Sequence, residues 1–121
     1  MSAFASLSDL APLRIWDGVL GRTVQGTSIT MGVLELEANS IVPEHHHPNE
    51  QLGVVLQGSM TFTIGGEQRH LVPGDTYTIP SNVPHGVVTG PEGAVVIDVF
   101  SPVRADWSRL EALGARPPRW P

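Results

Sequence analysis

Glycine and proline punctuate this chain every few residues, 13 and 11 of them in 121, and that spacing limits what it can fold into. No long helical periodicity survives between the breaks. The intervening segments are short and β-rich, and turn signals recur about every ten residues, the pattern of a sandwich or barrel. Strands are predicted at residues 12–16, 19–25, 28–37, 51–57, 60–64, 68–72, 76–79, 86–89 and 94–100. Met60, Phe62 and Ile64 alternate with Thr61 and Thr63, a half-buried pattern. Gly65-Gly66 marks a hairpin turn and Pro73-Gly74-Asp75 another turn. Glu35 and Glu37, alternating with Leu34 and Leu36, read as the solvated face of a strand. Trp107, Leu110 and Leu113 predict a short C-terminal helix over 106–113, stopped by Gly114, and Arg116–Pro121 reads as an extended tail that packs or makes a dimer contact. The fold class is therefore all-β, an antiparallel barrel of one domain over 1–121, with no internal repeat or linker.

Charge and composition exclude several function classes. A net charge of −5 without a basic cluster argues against nucleic acid as a partner. All seven basic residues are arginine, which excludes a Schiff-base lysine, and the absence of cysteine removes thiolate chemistry and cysteine metal sites. Neither a secretory leader nor a stretch of membrane-spanning length is visible, so a cytoplasmic protein without a membrane partner is expected.

The five histidines are concentrated. His45 and His47 lie two apart in Pro-Glu-His-His-His-Pro, and side chains at i and i+2 of an extended segment share a face. His85 follows in Pro80-Ser81-Asn82-Val83-Pro84-His85. Three imidazoles among β-strands suggest one metal site, while His46 and His70 are expected to face solvent.

The spacings around these histidines resemble the cupin family. His45-x-His47, three residues, Gln51, six residues, Gly58 matches its first motif, with Gln51 where the family usually has Glu. Gly74, five residues, Pro80-Ser81-Asn82, two residues, His85 matches the second, with Asn82 replacing Gly and Thr89 replacing the final Asn. Asn visits a left-handed turn more readily than other non-glycine residues. The resemblance implies a small (RmlC-like) cupin barrel or jelly roll, with His45, His47, Gln51 and His85 holding one divalent transition metal: Ni, Zn, Fe, Mn or Cu. Glu50 is a poorer fourth ligand than Gln51, because one residue along a strand is the opposite face. An amide in place of a carboxylate leaves the ion more positive, a weaker site but a stronger Lewis acid toward an anion.

Gln51, the run Ile79–His85, and Val96-Ile-Asp98-Val-Phe100-Ser-Pro102-Val-Arg104-Ala-Asp106-Trp107 together resemble the pectin-degradation (KdgF-type) cupins. Those proteins convert 4,5-unsaturated monouronates from pectin or alginate breakdown into linear keto-uronates. By that resemblance Asp98, Phe100 and Arg104 join the active site, the substrate is a small anionic sugar, and a homodimer is expected. Read without the family, Asp98 sits in the apolar run 94–100 and must reach solvent, pair, or line a cavity with a raised pKa. Phe100 suits core or substrate wall equally, and Arg104 a salt bridge or a substrate carboxylate. The alternatives to the uronate enzyme are a non-catalytic sugar-acid sensor and another metal-cupin enzyme, a dioxygenase or lyase.

Overall fold

Eight antiparallel strands carry the chain, in a computed structural model that describes residues 2–121. They are β1 (Leu13–Trp16), β2 (Val19–Gln25), β3 (Thr30–Leu36), β4 (Ile41–His45), β5 (Glu50–Ile64), β6 (Glu67–Leu71), β7 (Thr76–Ile79) and β8 (His85–Ser101). β5 and β8 are long enough to run through both layers. Residues 50–55 of β5 pair with 96–101 of β8 and with β7, and β3 pairs with 94–100 of β8. Beyond the bend, 60–64 of β5 pair with 85–89 of β8 and with β6, and β4 closes that layer against β8. Two sheets sharing bent strands form the all-β cupin jelly roll that the sequence predicts.

The bend explains why two strands were each read as two. Gly58 has φ 74, and the β5–β8 register slips between Val55 and Gln57 and again between Gly58 and Met60. These are bulges, which turn a strand without ending it. A Cβ at Gly58 would lie 2.0 Å from the Gly93 carbonyl oxygen, so no larger residue fits. In β8 the Gly90-Pro91-Glu92-Gly93 stretch, which reads as a break, likewise stays within the strand.

Alternation sets the core. Met60 and Phe62 point inward at 1% and 5% exposure and meet Val55, Leu71, Val87 and Val96 there. Gly65 and Gly66 both adopt positive φ between the paired Ile64 and Glu67, the conformation a two-residue hairpin requires.

Three expectations need correction. The C-terminal helix is a 3-10 turn over Ala105–Arg109. It stops because the following backbone is claimed by β1: Arg14 N donates to Glu111 O, Leu113 N donates to Pro12 O, and Leu13 bridges Ala112. Glu37 is exposed, but Glu35 is buried beside Arg22, its Oε2 2.8 Å from Arg22 Nη1. β4 was not foreseen, since Pro43 lies inside it; the strand pairs only with β8 and slips register between Val42 and His45, a place that tolerates proline.

Candidate metal centre

The three histidines reach one point from different elements. His45 ends β4, His47 lies in the loop that follows, and His85 opens β8 directly opposite His45. One nitrogen from each lies within 4.8 Å of the others. The loops are tied to each other, because Asn82 N donates to His47 O at 2.8 Å and Asn82 takes φ 62, the left-handed turn its position in the motif requires. His46 and His70 are exposed.

Each imidazole is oriented by a backbone carbonyl two residues away. Nδ1 of His45, His47 and His85 lies 2.8, 3.0 and 2.8 Å from the carbonyl oxygens of Pro43, Asn49 and Val83. A carbonyl only accepts, so each Nδ1 carries hydrogen and each neutral Nε2 presents a lone pair. His85 Nε2 is buried with no hydrogen-bond partner. Burial, opposed by the bond to Val83, lowers the His85 pKa to about 4, with smaller lowering from His45, His47 and Arg104. His47 is lowered by burial first and then by Arg104. Both rings are thus held neutral, the form that binds metal.

Gln51 completes the set. Its Oε1 lies 3.1 Å from His47 Nε2, while its amide NH2 donates to the Asp98 carboxylate. Two lone pairs therefore converge between His47 and Gln51, an arrangement that a shared cation or proton stabilises. Three neutral imidazole nitrogens and an amide oxygen, one nitrogen orphaned in the interior, fit a divalent transition ion.

Asp98 is 4% exposed. It faces Gly53 on β5 and Gly32 on β3, and its Oδ1 accepts from the Tyr77 hydroxyl. Burial raises its pKa to about 6 against the bonds from Tyr77 and Gln51 and the field of Arg104. Tyr77, 7% exposed, is held protonated by its own burial and by Asp98. Sequence reading missed Tyr77. The signal was Gly53 in mid-strand: a Cβ there would sit 2.2 Å from the Tyr77 ring.

Phe100 is both core and wall, 2% exposed and edge-on to His47 and Trp107. The Arg104 guanidinium lies 4.8 Å from the Phe100 ring centre and 4.7 Å from that of Trp107. Its Nε and Nη2 fork onto Asp106 at 3.1 and 3.0 Å, which lowers the Asp106 pKa. Asn49 Nδ2 donates to the Pro102 and Val103 carbonyls, binding the His47 loop to the segment that carries Arg104. Histidines, Gln51, Asp98, Phe100 and Arg104 line one cavity.

A barrel of this topology with this cluster in its mouth defines a cupin, and residues 32–100 match the cupin domain model; the chain belongs to that family. Within it, 65 residues are 46% identical to the pectin degradation protein KdgF of Dickeya dadantii, 54% of this chain and 59% of that protein's length. The solved structure of KdgF from Halomonas sp. superposes with a TM-score of 0.80 at 26% identity, over 88% of this chain and 98% of that one. A shorter stretch, 39 residues at 44% identity, matches the HTH-type transcriptional regulator PuuR of Escherichia coli, over 32% of this chain and 21% of the regulator.

Proposed function

We propose that this chain is a metal-dependent enzyme that opens and tautomerises 4,5-unsaturated monouronates from pectin or alginate breakdown to linear keto-uronates. The observation that carries the reading is the junction at Gln51: its oxygen faces the three imidazoles and its amide holds the buried carboxylate of Asp98. The likeness to the two pectin-degradation cupins supports the substrate class.

His45, His47, Gln51 and His85 would hold the ion, which when bound supplies Lewis acidity toward substrate oxygens. Asp98, ionised at neutral pH with a pKa of about 6, accepts the proton of the anomeric hydroxyl as the ring C–O bond breaks. It returns a proton to the enol carbon as the ketone forms, so the reaction is an isomerisation without net proton change. Arg104 has its Nε–Nη2 edge on Asp106, and Nη1 remains to hold the substrate carboxylate. Phe100 and Trp107 fix the guanidinium plane.

The test is spectroscopic. Metal-loaded protein should abolish the near-ultraviolet absorbance of an unsaturated monouronate, and unchanged absorbance across the candidate metals would sink the reading. A non-catalytic sugar-acid sensor is the second reading, and the match to a transcriptional regulator favours it; a sensor would bind the uronate and leave its absorbance intact.

The single cupin domain, the cytoplasmic location and the homodimer belong to this proposal as well. Phe4, Val24, Ile29 and Met31 are exposed apolar residues that a second copy would cover. A monomer by light scattering at micromolar concentration would remove the dimer.

A further inference from the structure

The family's usual glutamate is replaced here by Gln51, and the structure offers a reason other than metal charge. Asp98 is walled off from water and faces glycines on both neighbouring strands, so neither neighbour offers it a side chain. Its hydrogen bonds come from Tyr77 and from the Gln51 amide. A glutamate at position 51 would keep an oxygen for the imidazoles but turn a second carboxylate oxygen toward Asp98. Two facing acceptors in a dry interior are costly, whereas a donor facing an acceptor is not.

We propose that Gln51 and Asp98 form an obligate donor–acceptor couple, in which Asp98, held by Tyr77, is a positioning residue that fixes the Gln51 amide with its oxygen toward the three imidazoles. The amide is the one group in the site that touches both halves, the histidine cluster through Oε1 and the carboxylate through its NH2. Turned over, it would present NH2 to the imidazoles and oxygen to Asp98, wrong at both ends. The identity of residue 51 is thereby dictated by residue 98, and the same contact makes Asp98 matter to the ligand set without touching it. The metal side of this inference rests on the proposed metal site; the couple itself does not.

A mutant cycle at a single mildly alkaline pH tests it, using the wild-type chain, Gln51→Glu, Asp98→Asn and the double variant, each metal-free and then titrated with Zn(II). In the metal-free proteins Gln51→Glu should lower Tm by about 5–10 °C when Asp98 is present. With Asp98→Asn in place the same change should cost less than half as much, because an amide at 98 can donate to the new carboxylate. Zn(II) should bind the double variant about tenfold more tightly than Gln51→Glu alone. Simple charge counting predicts the opposite, since the single variant carries one more negative charge. Equal Tm losses in the two backgrounds, or tighter Zn(II) binding by the single variant, would overturn the proposal. If Gln51→Glu yields no folded protein, recovery of folding in the double variant supports the couple and continued misfolding overturns it. Failure of Zn(II) to bind any of the four would tell against the metal reading alone, because the melting cycle decides the couple without metal.

Discussion

The functional weight of Asp98 comes from a conflict between its position and its chemistry. Burial raises its pKa while Tyr77, Gln51 and Arg104 hold part of the charge in place, leaving it at about 6, close to the pH at which it must exchange a proton. Asp98→Asn, assayed at saturating metal, should lower turnover by about a hundred- to ten-thousand-fold and remove the limb of the pH–rate profile near 6; near-normal turnover would make the carboxylate structural. Acid stability gives an independent check. His85, lowered to about 4, and His47, also lowered, favour the fold above the ordinary histidine value and lose that stabilisation as pH falls toward 4, because the unfolded chain then binds more protons. Asp98, raised from 3.8 to about 6, acts in the opposite sense over that range: the folded state takes up its proton first and gains stability on acidification. Metal-free Asp98→Asn should therefore lose Tm more steeply than the wild-type chain between about pH 7 and pH 4. Parallel Tm curves would show that the carboxylate is not perturbed.

At the scale of elements, the site depends on glycines that keep strands close. Gly53 pairs with both Tyr77 on β7 and Asp98 on β8, and its missing side chain is the space the tyrosine ring fills. Gly53→Ala should cost about 1–3 kcal/mol of stability through overpacking, and it should also depress turnover by displacing the hydroxyl that holds Asp98. A stability loss with unchanged kcat would separate Tyr77 from the chemistry. Most of the ligand set was legible because cupin spacings and strand parity act over a few residues. His45 and His47 converge even though only the first is in a strand, since the loop to Asn49 stays extended enough to keep their faces together. Tyr77 was not legible: its partners lie 24 residues before it and 21 after it, and only the pairing of β5, β7 and β8 brings them together. The boundaries at Gly58 and Gly90–Gly93 were misread for a related reason. Glycine signals a break and a bulge alike, and the partner strand decides which.

Across the whole molecule the ends of the chain matter more than local pattern suggests. Glu35 alternates with leucines as a solvated residue would, yet the C-terminal tail comes back more than 80 residues later to cover it. Arg119 N donates to Glu35 Oε2 at 2.9 Å, Arg22 Nη1 donates to the same oxygen at 2.8 Å, and Arg22 Nη2 donates to the Arg116 carbonyl at 2.7 Å. The Arg22 side chain is 1% exposed and its Nε has no partner, so the guanidinium depends on this one carboxylate for its charge. A buried pair of this kind adds little net stability over an apolar replacement, but breaking one side leaves an uncompensated charge in the interior. Glu35→Gln should thus destabilise the protein by about 3–5 kcal/mol, seen as a fall in Tm of about 10–20 °C. Replacing both partners, Arg22→Met with Glu35→Leu, should recover most of that loss, since no charge is then stranded. The tail should detach in the double variant all the same, because the acceptor of Arg119 N and the donor to the Arg116 carbonyl are gone, and amide hydrogen exchange over 115–121 would report it. A small Tm change in Glu35→Gln would mean that water reaches Arg22 when the carboxylate is lost. In that case the tail would be a loose cover, without a part in closing the barrel.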